Sequence, residues 1–241
     1  MQYVLAGAVS ILLKNEEVWC VGGRVHNEYL DETGENIAIA MSTAFGMGLG
    51  NFRTLDESDF VDTVGTPMYP YWVFEKIGFF DEQLIRNQDD DFNYRITKEG
   101  GKIYYEQDIS LKYYVRGNLK GLWRQFFQYG YWKVFVNKKH NAVTTIRQLA
   151  PPLFVLYLVA ASPILMIGKY TMLFGSLPLT LYLLMNVFFS VRFADRSKDI
   201  FQLMLVYPIM HVSYGLGYWK GILDFMVRNK KPSENQKRLS R

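Results

Sequence analysis

The sequence contains only one cysteine and little net charge. Cys20 has no second cysteine to pair with, which excludes an internal disulfide, and its apolar neighbours in VWCVGG indicate a buried core residue rather than a nucleophile or a metal ligand. A lone thiol also favours a reducing compartment for the soluble part. The formal net charge of +4 over 241 residues argues against nucleic acid as a partner, because such binding depends on a strongly basic surface.

Two features of nucleotide-binding and secreted proteins are also absent. Upstream of the helix and strand patterns described below, the chain has neither a glycine-rich phosphate loop nor an Asp-x-Asp pair, which many complete nucleotide-binding α/β domains carry in their first half. The apolar segment Tyr3–Leu13 has no basic flank before it and no small-residue cleavage site after it, so it is predicted to be a buried helix rather than a signal peptide.

Long uncharged stretches are present in the second part of the chain. Residues Gln148–Gly168 and Tyr170–Val191 contain no charged side chain, and each has the roughly twenty residues needed to cross a hydrocarbon core, so both are predicted to span a membrane. A third stretch, Ile200–Trp219, has the length but contains Pro208 and several small or polar residues. The sequence leaves open whether this stretch spans, re-enters or lies in the interface.

Before residue 146 the chain alternates helix and strand patterns, which predict an α/β sheet layer. The predicted elements are a helix at Tyr3–Lys14, a strand at 18–25, a helix at Ile37–Leu49, a strand at 59–64, a helix at 69–78, a helix beginning near Asp89, and a strand at 101–105.

Three consecutive aspartates, Asp89, Asp90 and Asp91, open the last of these helices in RNQDDDFNYRITKEGG. Phe92 and Ile96 follow at helical spacing, and two glycines end the pattern. Acidic residues in a first turn are stabilised by the helix dipole, so a charged helix start is one interpretation. A catalytic carboxylate is the other, and the residues alone leave both open.

Four segments carry a resemblance to a known family: CVGGRV, AFGMGLGNFR, the run from VDTVGTPMYPYW through GFFDEQLIRNQDDDFNYR to GGKI, and LWRQFFQYGYWK. In order, over most of Trp19–Lys133, they resemble the second half of membrane-anchored glycosyltransferase family 2 enzymes, inverting transferases of the GT-A fold, in particular those of succinoglycan-type exopolysaccharide assembly. The resemblance implies an α/β chain with a partial GT-A (Rossmann-like) domain followed by a C-terminal transmembrane helical region.

The resemblance and the composition together predict four regions. These are an acceptor-side half of the GT-A domain at 1–115, amphipathic interface helices at 116–146, a transmembrane region at 147–227, and a basic tail at 228–241.

The resemblance also implies roles for the aspartates. The family motif Glu-Asp-x-Asp-Leu-x-x-Arg falls here on Gln88, Asp89, Asp90, Asp91, Phe92 and Arg95, with glutamine at the leading position. Asp89 then takes the place of the catalytic base, which accepts the acceptor hydroxyl proton as that oxygen attacks the anomeric carbon opposite the diphosphate. Asp90 and Gln88 are expected to contact substrate. For Asp91 and Arg95 an intrahelical ion pair is the favoured role.

Two neighbouring segments are ambiguous. In GFFDEQL, Asp81 and Glu82 either contact the acceptor or form a turn after a helix that ends at Gly78. Family members often carry arginines near the acceptor in the loop that precedes this segment, where this chain has TPMYPYW. The aromatic residues there either stack on a sugar ring or pack in the core; they are Tyr69, Tyr71 and Trp72.

A second group of candidates lies in RGNLKGLWRQFFQYGYWKVFVNKKH, residues 116–140. An apolar stripe that includes Leu122 and Phe126, with Lys120, Arg124 and Lys133 on the surface, predicts a basic amphipathic helix against an anionic membrane. The resemblance places a motif near the donor diphosphate and the acceptor on Gln125, Gln128, Tyr129 and Gly130, with glutamine in place of the family's arginine, which favours single addition over processive synthesis. Arg116, Arg124 and Lys133 either neutralise the leaving diphosphate or bind lipid headgroups.

The resemblance further implies a cofactor and partners. In the family, Mg²⁺ or Mn²⁺ on the donor diphosphate is held by an Asp-x-Asp that precedes the segments matched here, so no metal ligand is assigned in this chain. The implied partners are a nucleotide sugar, a lipid-linked glycan acceptor and membrane lipids, with no nucleic acid. A rival from another class is a non-catalytic membrane subunit that binds a lipid-linked sugar or complements a separate nucleotide-binding half.

The apolar stretches and the resemblance together imply a multi-pass protein of the inner cell membrane, and the charge near the stretches predicts its orientation. Lys138, Lys139 and Arg147 precede them, and RFADRSKD follows the second, so the catalytic part and the loop Arg192–Asp199 are predicted to be cytoplasmic. The basic tail would end outside if the third stretch crossed, which favours re-entry or an interfacial position.

The first testable prediction concerns the donor. Because no element that would contact base, ribose or metal is recognised in the sequence, the chain is interpreted as a truncated enzyme, and the isolated chain is expected neither to bind a nucleotide sugar nor to be active alone. Titration calorimetry with several sugar nucleotides and Mn²⁺ tests this. Micromolar binding would contradict the interpretation.

Overall fold

The computed structural model describes residues 2–48, 52–164 and 169–232. Their contacts divide them into two units. The first contains Met1–Tyr29 and Met41–Val115, and the second contains Leu30–Ala40 and Arg116–Lys231. The segment Leu30–Ala40 therefore belongs with helices that follow it by more than seventy residues, a grouping that the sequence patterns do not indicate.

The first unit is built on a four-stranded mixed sheet. Its strands are β1 (Val18–Glu28), β2 (Asp59–Val61), β3 (Gly65–Met68) and β4 (Lys102–Tyr114), in the order β2-β4-β1-β3. β1 and β4 are parallel, and the two edge strands pair antiparallel with them. The predicted α/β class is confirmed at this level.

The pairing of β1 with β4 requires glycine at position 23, the second glycine of VGG. The β1–β4 register shifts after Gly23, which pairs with Glu106, whereas Arg24 pairs with Ser110. The intervening bulge brings the carbonyl oxygen of Ile109 to 1.8 Å from where a Cβ on Gly23 would lie. No larger residue fits at this position without moving the backbone.

Four described helices accompany the sheet: α1 (Gln2–Lys14), α3 (Ala44–Met47), α4 (Tyr71–Ile77) and α5 (Gln88–Lys98). Helices α1 and α5 lie where the sequence patterns predict them. The single helix predicted at Ile37–Leu49 is wrong: α2 (Glu32–Met41) and α3 replace it, because Thr43 interrupts the helix and its Oγ1 accepts a hydrogen bond from the Gly46 N–H at 3.1 Å, capping α3. Residues 49–51 lie outside the described part.

The sheet buries a different cluster on each face. On one side, Trp19 and Cys20 pack with Val73 of α4 and Phe92 of α5. On the other, Val18 and Val21 pack with Ala8 of α1. The prediction that Cys20 is a buried core residue is confirmed, and burial raises the pKa of its thiol above the usual range.

The second unit is helical. It contains most of α2, then α6 (Leu119–His140), a 3-10 turn (Ile146–Leu149), α7 (Ala150–Ile164), α8 (Lys169–Phe193) and α9 (Ser197–Gly221), which continues as a π-helical segment (Ile222–Val227). Helix α9 runs unbroken through Pro208, so the proline does not interrupt it.

Two helices in the described part are long and apolar enough to cross a membrane, Gly175–Phe193 and Ser197–Val227. The first corresponds to the predicted span Tyr170–Val191. The predicted span Gln148–Gly168 falls on a shorter apolar helix, Ile146–Ala160, and on residues 165–168, which lie outside the described part. Core helices of soluble proteins can have the same length and composition.

Helices α6 and α9 approach each other at glycines. A Cβ on Gly130 would lie 2.0 Å from the Tyr214 carbonyl oxygen, and one on Gly217 would lie 2.0 Å from that of Phe127. Leu122 and Phe126 of the predicted apolar stripe are buried in α6. Lys133 is also covered, with 1% of its surface exposed. The predicted surface position of Lys133 is wrong: the side chain is buried, and its ammonium donates to Oγ1 of Thr145 at 3.4 Å.

We expect Gly217→Ala to destabilise the protein by roughly 1–3 kcal/mol, because the added methyl group overpacks the contact with Phe127. Gly7→Ala in α1 is the matched control: its Cβ would meet nothing within 4 Å, and alanine favours a helix by up to roughly 1 kcal/mol. Urea unfolding of both variants in detergent, followed by circular dichroism, measures the difference. Equal stability of the two would contradict the close contact.

Candidate active site

In the loop between α4 and α5, a glycine ends the preceding helix and an aspartate forms a turn. Gly78 ends α4 with φ 81°, and its N–H donates to the Phe74 carbonyl at 2.9 Å. The Asp81 carboxylate accepts from the Gln83 N–H at 2.8 Å, and its carbonyl accepts from the Leu84 N–H at 3.1 Å. Asp81 therefore forms the turn that the sequence left as an alternative, while Glu82 is exposed beside it.

The loop ends at Asn87, which precedes α5 in a left-handed conformation with φ 61°. Asparagine tolerates this conformation better than most residues. Its Nδ2 donates to the Asp90 carboxylate at 2.7 Å. Asp90 is thus held by a local hydrogen bond, and Gln88 and Asp89 are exposed on the first turn.

Asp91 points the other way and is fully buried. Nε and Nη2 of Arg95 each lie 3.1 Å from its Oδ2, so the predicted intrahelical ion pair is present. The same guanidinium donates to the carbonyls of Ile77 at 2.5 Å and Phe79 at 2.9 Å. Arg95 thereby joins the end of α4, the loop after it and the interior of α5.

The three aspartates therefore have different environments. Asp91 lies in the interior with Arg95, Asp90 bonds Asn87, and Asp89 faces solvent at the positive end of the helix dipole. The Asp89 carboxylate also affects the pKa of a buried side chain, Tyr69. Burial raises the pKa of Tyr69 above its usual range, and the nearby Cys20 and Asp89 add to that rise.

A buried polar chain that sequence reasoning missed lies beneath this turn. The Tyr69 hydroxyl donates to Oδ1 of Asn93 at 3.1 Å, and Nδ2 of Asn93 donates to Oγ1 of Thr63 at 3.1 Å. Asn93 is buried, four residues after Asp89 and hence on the same side of α5. A polar residue on an otherwise apolar helix face was the only available signal.

The three aromatic candidates of the preceding loop also differ in burial and in contacts. Tyr69 packs edge to face on Phe92, with ring centroids 4.8 Å apart, so core packing is its role. Trp72 is half-buried against Trp19 at 5.2 Å, whereas Tyr71 is 68% exposed. Tyr71 offers the most accessible ring of the three.

The second group of candidates lies in α6 and just before it. Nε2 of Gln125, a buried residue, donates to the Tyr129 hydroxyl at 2.8 Å, so the structure brings these two together. Gln128 is half-buried, and Arg116 and Arg124 are exposed. Their contacts with a substrate stay predictions.

The described residues do not form a metal site. No group of three or more His, Cys, Asp or Glu side chains among them has an arrangement that could hold a metal ion. The aspartate run does not supply one, because the Asp91 carboxylate is paired with Arg95. The residues present in the described part therefore do not fit the Mg²⁺ or Mn²⁺ that the resemblance implies.

Comparison with known proteins gives two relatives, and no family model matches the chain. The succinoglycan biosynthesis protein ExoA of Rhizobium meliloti (strain 1021) is 24% identical over 193 residues, which cover 79% of this chain and 57% of ExoA. A dolichyl N-acetyl-alpha-D-glucosaminyl phosphate 3-beta-D-2,3-diacetamido-2,3-dideoxy-beta-D-glucuronosyltransferase of Methanococcus voltae is 26% identical over 217 residues, 88% of this chain and 63% of that enzyme. Together they support a glycosyltransferase-like protein. The chain spans less than two thirds of the length of either relative.

We expect Arg95→Ala to destabilise the first unit by roughly 3–5 kcal/mol, because it leaves the buried Asp91 carboxylate without its cation. Lys102→Ala is the matched control: its ion pair with Glu17 is about half exposed on both sides, and such pairs contribute at most about 1 kcal/mol. Denaturant unfolding at neutral pH compares the two. A loss for Arg95→Ala no larger than for Lys102→Ala would show that the buried pair does not stabilise α5.

Proposed function

We propose that this chain is the acceptor-side part of an inverting glycosyltransferase of family 2, which transfers a sugar from a nucleotide-sugar donor to a lipid-linked or polysaccharide acceptor. The observation that carries the proposal is the exposure of Asp89 on the first turn of α5, while Asp91 is buried with Arg95. The relatives support it through their names, which refer to succinoglycan biosynthesis and to glycosyl transfer onto a lipid-linked sugar phosphate.

In the proposed reaction the acceptor hydroxyl approaches Asp89. Its oxygen forms a bond to the anomeric carbon as the bond from that carbon to the diphosphate breaks, and its proton passes to the Asp89 carboxylate. Attack from the face opposite the diphosphate inverts the configuration. The Asp91–Arg95 pair and the bond from Asn93 to Thr63 act on this step only by fixing α5, so these residues position the base and do not touch substrate.

Substrate contacts are proposed for groups that the structure leaves accessible. On the acceptor side these are Tyr71, whose exposed ring suits stacking on a sugar, and the exposed Glu82. In the second unit, Arg116 and Arg124 are exposed cations that suit a diphosphate or a lipid headgroup.

The proposed location is the inner cell membrane, with the α/β unit and the loop Arg192–Asp199 in the cytoplasm. Two long apolar helices in the described part support membrane association. Nine residues of the exposed surface of α8 are large and apolar, a composition that suits lipid better than water: Leu177, Leu181, Leu183, Leu184, Met185, Val187, Phe188, Val191 and Phe193.

We expect Asp89→Asn to reduce turnover by a factor of roughly 100 to 10,000 with little change in the donor KM, because the amide keeps the shape but accepts no proton. Asp90→Asn is the matched control and is expected to retain most activity, since its carboxylate serves a local bond to Asn87. Transfer of radiolabelled sugar is measured in membranes that contain the active enzyme, that is, this chain with any nucleotide-binding part that accompanies it.

The comparison of the two variants discriminates the interpretations of the aspartate run. If both substitutions prove equally mild, the run is a charged helix start, and the rival interpretation as a non-catalytic membrane subunit replaces the proposal. If Asp90→Asn alone abolishes transfer, the base is assigned to the wrong carboxylate.

A further inference from the structure

The last turn of α9 and its π-helical continuation carry a buried carboxylate surrounded by cations. Asp224 is 2% exposed, and the Lys220 ammonium, four residues before it, contacts Oδ2 of its carboxylate. Nζ of Lys230 lies 3.0 Å from Oδ1, and Nη1 of Arg228 lies 3.6 Å from the same oxygen. The Tyr131 hydroxyl of α6 donates to Oδ2 at 3.2 Å. Such partners stabilise the carboxylate, because an unpaired buried charge is costly.

The cluster holds more positive charge than this carboxylate neutralises. One cation would balance Asp224, yet three pair with it, and the Lys138 ammonium donates to the carbonyl of the next residue, Phe225, at 2.5 Å. Among the residues that the structure describes, no second carboxylate pairs with the three cations. Four cations against one carboxylate leave three positive charges in excess, which favours an anionic ligand.

The backbone holds the cations in place. The segment Ile222–Val227 is π-helical, a rare conformation that often occurs at functional sites. Asn229 follows with φ 55°, in the left-handed region that asparagine tolerates. This turn brings Lys230 back, so that its N–H donates to the Asp224 carbonyl at 2.9 Å while its ammonium pairs with the carboxylate. The cations are thus positioned in advance, which lowers the entropic cost of binding a ligand.

The cations are also accessible. The side chains of Lys220, Arg228 and Lys230 are 45%, 54% and 47% exposed. The separation of 3.6 Å between Arg228 and Asp224 is longer than a hydrogen bond, so the guanidinium keeps N–H donors for a ligand. Guanidinium and ammonium groups grouped around one point are suited to the oxygens of a phosphate. The chemistry of the cluster therefore fits a phosphate group.

Exposed apolar side chains lie in the same turns as the cations. Leu223, Met226 and Val227 are 39%, 47% and 70% exposed. They lie at the end of Ser197–Val227, one of the two helices in the described part that are long and apolar enough to cross a membrane. Cations at the end of an apolar helix suit the headgroup region, where lipid phosphates adjoin hydrocarbon. A phosphate carried by a lipid therefore matches both surfaces, whereas free phosphate matches only the cations.

We propose that the cations around Asp224 bind the phosphate of a membrane lipid, whose hydrocarbon chain packs on the adjoining apolar side chains. The inference rests on the proposed membrane location and is independent of the role of Asp89. Two sources share this chemistry: an anionic phospholipid of the bilayer and the phosphate of a lipid-linked substrate. Asp224 is a positioning residue, since it holds the cations in place and its own charge would repel a phosphate.

Lipid binding to the purified full chain tests this. Native mass spectrometry in a neutral detergent counts bound molecules and gives apparent Kd values for phosphatidylglycerol, a polyisoprenyl phosphate and phosphatidylcholine, with inorganic phosphate as a competitor. The variants are Arg228→Gln, Lys230→Gln and Asp224→Asn. Lys231→Gln is the matched control, because this exposed lysine is next in sequence and lies outside the ion pairs of Asp224. Circular dichroism confirms that each variant is folded.

The wild-type chain is expected to bind one anionic lipid, and Arg228→Gln or Lys230→Gln to weaken binding roughly tenfold, as for the loss of one charged hydrogen bond. Lys231→Gln is expected to change Kd by less than about twofold, because its charge is exposed and unpaired with Asp224. Asp224→Asn adds one net positive charge and is nevertheless expected to weaken binding, because the cations lose their common partner. The anionic lipid with the lower Kd identifies the source.

Two kinds of result overturn the inference. Equal losses for Arg228→Gln and Lys231→Gln, or tighter binding by Asp224→Asn, would show non-specific attraction to a basic surface. Displacement of the lipid by an equal concentration of inorganic phosphate, or equal binding of phosphatidylcholine, would show that the site does not select an anionic lipid. If Asp224→Asn fails to fold, the two cation variants still decide. No sugar donor is present, so loss of lipid binding would leave the transferase proposal intact.

Discussion

The Arg95 guanidinium sets the orientation of the candidate active site. It binds the carbonyls of Ile77 and Phe79 and the buried Asp91 carboxylate together, so the loop after α4 and the first turn of α5 share one donor. Residues two positions apart on a helix point about 200° apart. Asp91 and Asp89 therefore lie on different sides of α5, and Asp89 is exposed in the first turn, one turn before the buried Asn93. The two explanations of the aspartate run become complementary: one carboxylate stabilises the helix, and another is accessible at its start.

Much of the first unit could be predicted because its patterns are local. Helices α1 and α5 and strand β1 have periodic apolar residues, and they occur at the predicted positions. Strand β3 was missed because GTPM is short and contains a proline; it is a strand only through its pairing with β1, where Met68 faces Val21. The break before α3 was missed for a similar reason, since the side-chain cap from Thr43 outweighs the helical pattern around it.

In the candidate active site, too, the local features were predictable from the sequence and the long-range contacts were not. The Asp91–Arg95 pair is encoded by a spacing of four residues and was predictable, as was the turn at Asp81. The chain from Tyr69 through Asn93 to Thr63 joins three separate segments, and no pattern in one segment reveals it. The burial of Lys133 has the same origin: an amphipathic pattern shows that a helix has two faces, but it does not show which other segments cover it, here including Thr145 beyond the end of α6.

In the second unit, the length of an apolar segment does not by itself distinguish a helix that crosses a bilayer from one that packs against protein. The apolar windows of α8 and α9 both suffice to cross a bilayer, yet 11% of the first is buried in the protein against 39% of the second. A crossing helix meets lipid around most of its circumference, whereas an interfacial helix meets lipid on one side and protein or water on the other. The buried share of α9 has visible partners: the Tyr182 hydroxyl of α8 lies 3.0 Å from Nδ1 of His211, and Nδ2 of Asn186 donates to the Met204 carbonyl at 3.0 Å. The apolar length of α9 is therefore explained in part by packing against other helices of the unit, which a count of apolar residues cannot separate from contact with lipid.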